Sequence, residues 1–308
     1  TAPERNRMTK LATPQLTHNF LLGLLISLGV VGFCLGLWVQ NSWAEEEKKA
    51  YVQPLNEVFQ TETVYTQEQG EVQLQLSPNF REGRQRNLFQ IPLTIEYGIT
   101  DFWQVEVAWD THVNRNPISG STTRGSGDLE IATKYSFMSI GESNYHAAIG
   151  LEIGISTGNI NKELTEGFTE YEPFLILAKD FPELNNSQIF TRLGVGFVDR
   201  TQNHTDPDED EAEANEFNWN VGFFVPVGPI RVTTEFNWQT NEWHNSGDEN
   251  QLYLTPGLVW DLPGTWELET GAPIGLNGKS DNYRIITQFI VCRQMNLVRE
   301  LDLARDTF

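Results

Sequence analysis

Two cysteines, Cys34 and Cys292, leave disulfides little part in this fold, and 21 basic residues set against 42 acidic ones in 308 give a formal charge of −21. Such a balance makes nucleic acid an unfavourable partner, because a polyphosphate is held by a basic face. Long hydrophobic runs are nearly missing too. Only residues 20–39, FLLGLLISLGVVGFCLGLWV, are apolar for long enough, and a bundle of membrane-spanning helices would need several runs of about 20 residues. Apolar residues at helical spacing are also scarce after residue 70, which argues against an α-helical domain.

The single apolar run follows a basic, Thr-containing stretch headed by Met8, the expected initiator, with residues 1–7 upstream of it. Ser42 and Ala44 then occupy the small-residue positions that a signal peptidase reads, ahead of Glu45, Glu46 and Glu47. Residues 1–44 are therefore expected to be upstream residues plus a secretory signal cleaved after Ala44. An uncleaved anchor is the competing reading, since the run exceeds a signal core of about 7–15 residues. Lipidation at Cys34 is disfavoured by Phe33, which stands where a lipoprotein signal has a small residue. Loss of Cys34 with the signal leaves Cys292 without an intramolecular partner, so it is read as a buried or strand-end apolar residue.

From residue 71 the chain alternates apolar and polar residues in segments of about ten, separated by turn formers, the period of strands whose two faces meet different surroundings. FWQVEVAWDT (102–111) puts Trp103, Val105, Val107 and Trp109 on one face, and GDLEIATKYSF (127–137) does the same with Leu129, Ile131, Tyr135 and Phe137. Further strands are expected at 71–79, 88–99, 144–157, 169–180, 187–198, 216–227, 229–240, 250–261, 265–275 and 282–292, twelve in all. Connections alternate between short (100–101, 138–143, 228–229) and long (112–126, 158–168, 241–249). That asymmetry belongs to an outer-membrane barrel, with short turns on the periplasmic side and long loops outside. The predicted fold class is all-β: an up-and-down antiparallel transmembrane β-barrel of about twelve strands over 71–292.

Aromatic placement supports this reading over a soluble β-sandwich, whose apolar face has no reason to carry rings at both ends of successive strands. Tyr97, Trp103, Phe137, Tyr145, Trp260 and Trp266 stand beside short turns, whereas Trp109, Trp219, Trp238 and Tyr283 stand beside long loops. They are read as two membrane-interface girdles. Pro92, Pro173, Pro226 and Pro256 fall inside strands, where each removes a ladder hydrogen bond, so bulges or shifted strand ends are expected there. Residues 45–70 lack clean alternation and are expected to form a periplasmic lead-in with a short helix around Leu55–Phe59. Residues 293–308 form an atypical tail that does not alternate, and no second globular domain is visible.

If the apolar positions face lipid, the alternate positions face an enclosed lumen: Glu96, Glu106, Asp110, Asp128, Glu130, Lys134, Glu152, Arg192, Arg231, Glu235, Glu267, Glu269 and Arg284. Such an interior must be satisfied by water or ion pairs. It would either select cations and polar solutes or fill a narrow barrel with a structural charge network, and twelve strands are compatible equally with an open lumen and with one filled by side chains or plugged by a loop. The acidic segment DPDEDEAEANE (206–216) lacks the Gly and the closing Glu of a calcium loop and reads as a solvated external loop, so no metal and no cofactor is expected. His146 and Ser156 share a strand face, but ten residues span about 33 Å, too far for a Ser–His pair. No catalytic residue is assigned, and the protein is not read as an enzyme.

Five phrases, GDLEIATKYSF (127–137), GLEIGISTG (150–158), EPFLILAKDF (172–181), GPIRVTTEFNW (228–238) and LTPGLVWDL with ETGAPIGLNG (254–278), occur in this order. Together they resemble the outer-membrane transporter family named for the phenol meta-degradation pathway (MetA-type β-barrel), over roughly 60–290. The resemblance implies a barrel that passes small organic, including aromatic, solutes, with outer-membrane lipid and lipopolysaccharide as its surroundings. The alternatives are a structural or surface-binding barrel without transport and, further off, a barrel hydrolase. The tail departs from the pattern, which would end on the terminal aromatic of the last strand.

Overall fold

The computed structural model describes residues 55, 58–84, 86–117, 120–165, 167–199, 216–240 and 250–294. The expected export signal (1–44), the acidic segment apart from Glu216, and the tail beyond Gln294 lie outside these residues, as does part of the helix expected around Leu55–Phe59.

Alternation produces twelve antiparallel staves, two of them interrupted. The first, β1, runs through Glu71–Leu76 and Asn79–Glu82 with a break at Ser77 and Pro78. There follow β2 (Arg86–Thr100), β3 (Trp103–Pro117), β4 (Leu129–Phe137), β5 (Tyr145–Ile155), β6 (Thr169–Phe181) and β7 (Ser187–Asp199). The last five are β8 (Glu216–Val227), β9 (Ile230–Thr240), β10 (Asn250–Asp261), β11 (Trp266–Gly271 with Ile274–Gly275) and β12 (Tyr283–Gln294). Each pairs with its sequence neighbours, and the cylinder shuts where β1 meets β12, from Glu71↔Gln294 to Glu82↔Tyr283. A short strand, Thr123–Gly125, folds back on the end of β3.

Turn chemistry sets the two ends apart. Gly228, at φ +63°, turns β8 into β9 within two residues, and Asn185 and Asn186, both at φ +56°, supply the paired left-handed conformation of a tight hairpin. These turns share one end with both ends of the cylinder's chain; the longer loops share the other. The strand-bound prolines behave differently from one another. Pro92 sits at a register shift that bulges out Thr111, and Pro173 falls in a gap in the β6–β7 ladder. Pro226 lies one residue from the end of β8, and Pro256 lies beside the interruption in β11, accepting from the Ala272 N–H at 3.0 Å.

Every stave turns apolar side chains outward. Ile95, Val107, Ile131, Ile149, Leu175, Leu177, Ile189, Val232, Leu254 and Leu258 are all exposed on that face. An apolar belt of this extent far exceeds what a water-soluble monomer shows, and hydrocarbon is the surrounding that covers it without cost. Closure leaves none of the twelve staves as a sheet edge, as a lipid setting demands.

Inside, the structure departs from the wholly charged lumen of the sequence reading. Phe174, Ile176, Ala148, Phe190, Phe224, Val259 and Ile286 belong to inward positions and are buried together with Leu55, Val58, Phe59, Val64 and Tyr65 in one apolar core. The reason is that the described part of 55–70 does not stand ahead of the barrel as a lead-in. It crosses the interior.

Candidate functional site: the barrel interior

The described part of the inner segment 55–70 fills the half of the cavity nearer the short turns, and its backbone hydrogen-bonding groups need partners there. The staves supply them. The N–H groups of Phe59 and Gln60 donate to the Glu235 carboxylate at 3.0 and 3.2 Å, and the Gln60 amide donates to Thr255 and Asn237 at 2.7 and 2.9 Å. Asn220 donates to the Gln60 carbonyl at 3.3 Å. Lys134 pairs with Glu62 at 2.7 Å and donates to the Thr63 carbonyl at 3.1 Å, while Ser136 donates to the Val64 carbonyl. Further along, Gln67 meets Gln104, Gln73 and Glu96 at 2.9–3.0 Å.

A second anchor surrounds Tyr65. Its hydroxyl lies 3.2 Å from both Asp180 oxygens and accepts from Gln188 at 2.8 Å. His146 accepts the Ser139 N–H on Nδ1 at 2.9 Å, which leaves the proton on Nε2 to donate to Asp180 at 3.0 Å. Ser156 bonds instead to Thr165 at 2.7 Å, toward the long-loop end. The fold does not bring His146 and Ser156 together.

Steric fit completes the seat. Gly257 of β10 and Gly271 of β11 face inward where the Phe59 ring rests, and a Cβ at either position would run into that ring. Gly98 lies against the backbone carbonyls of Gln67 and Glu68 in the same way. Hydrogen bonds and ion pairs tie the described part of the segment to β1 to β4, β6 to β10 and β12.

The half nearer the long loops is different. A cavity of about 240 Å³ opens above Gln60, lined by Glu152, Glu170, Glu172, Glu216, Arg192 and a set of amides from β8 and β9. Arg192 holds Glu152 and Glu172 at 2.5 Å each and lies 4.4 Å from the Phe174 ring centroid. Around the circumference, Arg284 sits over the Tyr253 ring at 4.3 Å, donates to the Tyr253 hydroxyl at 2.7 Å and pairs with Asp281 at 2.9 Å. At the short-turn rim Arg231 joins Asp261 and Glu267.

Register therefore places all thirteen charged positions singled out in the sequence on the inward side, in several separate groups. Glu96, Lys134, Arg192, Glu235 and Glu269 are buried; Glu106, Asp110, Asp128, Glu152, Arg231, Glu267 and Arg284 are half-buried; Glu130 is exposed to the interior space. Asp110 accepts from Gln90 at 2.8 Å, and Asp128 accepts the Thr157 and Gly158 N–H groups at 2.9 Å. Glu106 lies on the same wall, between Gln104 and Ala108. Cys292 also faces inward, 3.3 Å from Gln73. Among the aromatics, Trp103, Trp109, Phe137, Tyr145, Trp219 and Trp260 are exposed on the outer surface, and Tyr97, Trp238, Trp266 and Tyr283 are half-buried there. The sequence reading misses the inner segment and its apolar seat. The available signal was the set of inward glycines, 150, 222, 257 and 271, which leave room for Phe174, Phe190 and Phe59.

No family model and no curated protein sequence matches this chain. Solved structures do. An outer-membrane channel from Pseudomonas putida F1 superposes with a TM-score of 0.58 at 13% identity, over 75% of this chain and 98% of that one. NanC porin and KdgM porin follow at TM-scores of 0.49 and 0.48 with 11% and 8% identity, covering 72% and 71% of this chain and 99% and 98% of theirs. The first of these shows a shared barrel fold; the other two are too distant to carry an argument. Identity at this level says nothing about the solute.

Proposed function

We propose that this protein is a passive outer-membrane channel for small organic solutes, with its own segment 55–70 seated in the periplasmic half as a plug. One observation carries the reading: a chamber of charged and amide groups stands directly above a segment held by side-chain hydrogen bonds as well as by packing. Each such bond contributes about 1 kcal/mol net, so the plug is held by many small and separable contributions. The apolar belt and the barrel shared with a known channel support an outer-membrane location, with the short turns toward the periplasm and lipid and lipopolysaccharide around the belt. The polar lining favours polar solutes over the aromatic ones that the family resemblance implies.

Planar-bilayer recording tests this directly. The intact chain should show small or intermittent currents, and a variant lacking residues 55–68 should show steady conductance at least several-fold larger. A truncated barrel that still migrates as a folded, heat-modifiable species but passes no current would replace the channel reading with that of a structural or surface-binding barrel.

A further inference from the structure

Away from the chamber, two arginines face each other where the cylinder shuts. Arg81 of β1 is in register with Arg284 of β12, and both point inward at the level of the Gln60 side chain, which accepts from Arg284 at 3.4 Å. Like charges directly opposite on one sheet face repel. A single carboxylate is set between them: Asp281 lies 2.9 Å from the Arg284 Nε and 3.3 Å from the Arg81 Nε. The connection from β11 to β12 is shaped to deliver it. The Ser280 hydroxyl bonds both the N–H and the carbonyl of Leu252, and the Asp281 N–H donates to the Tyr253 hydroxyl at 3.0 Å. Gly275 leaves room for the Asp281 carbonyl, which a Cβ there would strike.

The two guanidiniums are unequally satisfied. Arg284 directs its terminal N–H groups to Tyr253, Gln251 and Gln60 at 2.7–3.4 Å and rests on the Tyr253 ring. Arg81 has Asp281 as its one ion-pair partner among the described residues; its Nε is buried without a hydrogen bond, and its side chain keeps 30% exposure to the interior. The adjoining Glu82 gives no help, since it is in register with Tyr283 on the outward side. Across β12, β1, β2 and β3 one inward row therefore reads Arg284, Arg81, Leu88, Arg115. Its carboxylates stand at the two ends, Asp281 by Arg284 and Glu163 at 2.5 Å from Arg115, which leaves Arg81 open beside Leu88. A guanidinium presents a planar fork of N–H donors that fits a carboxylate or phosphate, and such a group on Arg81 would also relieve the like-charge pair.

From this, and resting on the channel reading above, we infer that Arg81 is the centre of a binding step for small carboxylate or phosphate anions crossing the interior. Saturation-transfer NMR on the folded intact chain in detergent tests binding without relying on transport, with lactate as the probe and ethanolamine and glycerol as controls. Lactate should give a signal about threefold or more above either control, and methyl phosphate should compete it away. Arg81→Gln should remove most of that signal and the charge-preserving Arg81→Lys should keep most of it, with folding of each checked by heat-modifiable migration. Liposome swelling through the variant lacking residues 55–68 then reads the passage, where adding Arg81→Gln should lower the lactate-to-glycerol rate ratio about threefold. A lactate signal no larger than that of glycerol, a signal indifferent to Arg81→Gln, or an unmoved swelling ratio would overturn the inference and leave the channel standing. Arg81-dependent lactate binding by a folded barrel that admits no solute even without residues 55–68 would keep the anion site and remove the channel reading.

Discussion

The two halves of the barrel interior share the same staves yet meet the problem of an enclosed space in different ways. Toward the short turns, Phe174, Ile176, Phe190, Phe224 and Val259 point inward and close on Val58, Phe59, Val64 and Tyr65, as in the core of a water-soluble domain. Toward the long loops the inward positions are carboxylates, amides and arginines around open space. A strand face is therefore not committed to one solvent along its whole length. What decides its character at each level is whether a second piece of chain is seated there, because apolar side chains facing an empty wet lumen would gain nothing from burial.

Substitutions that should act on one half and spare the other sharpen this contrast. Arg192→Met, in the chamber, strips two carboxylates of their shared cation and should destabilise the barrel by about 3–5 kcal/mol, the range for breaking a buried ion pair. Equilibrium urea unfolding in lipid vesicles measures it, and Glu152→Gln should cost markedly less because Glu172 keeps its partner. Leu175→Arg, at mid-stave on the outer face between Ile149 and Leu193, should cost about 2–4 kcal/mol by the same assay. Its inward neighbour Ile176 is fully buried against the inner core, so Ile176→Ala should instead loosen the plug and raise the conductance of the intact chain. The smallest expected effect is that of Glu235→Ala. It leaves the N–H groups of Phe59 and Gln60 without their acceptor, at about 1–3 kcal/mol, and should lengthen open times with little change in single-channel current. An Arg192 variant that opened the plug, or a Glu235 variant that altered only the chamber, would break the division between the halves.

The cylinder was legible in the sequence because period-2 alternation in FWQVEVAWDT and GDLEIATKYSF has only one use when both faces must be satisfied around a closed ring. Stave boundaries come out within a few residues for most strands. Strand β3 is the exception: it continues to Pro117, beyond the expected end at 111, because the bulge at Thr111 reverses the facing of the residues that follow and hides the alternation. EPFLILAKDF is ambiguous for a related reason. Its inward Phe174, Ile176 and Ala178 are as apolar as its outward Leu175 and Leu177, and alternation cannot separate two apolar faces. The inner segment was illegible because it is neither strand nor helix. Its conformation is fixed by Glu235, Lys134, Gln104 and Asp180, residues far away in sequence, and nothing local announces them.

The join between β1 and β12 has a consequence for how the plug is held. The plug runs straight into β1, and β1 is one lip of that join, so the stretch that fills the cylinder and the strand that seals it are one continuous piece of chain. A pull on the plug is therefore delivered at the seam, and whatever steadies the seam also steadies the plug.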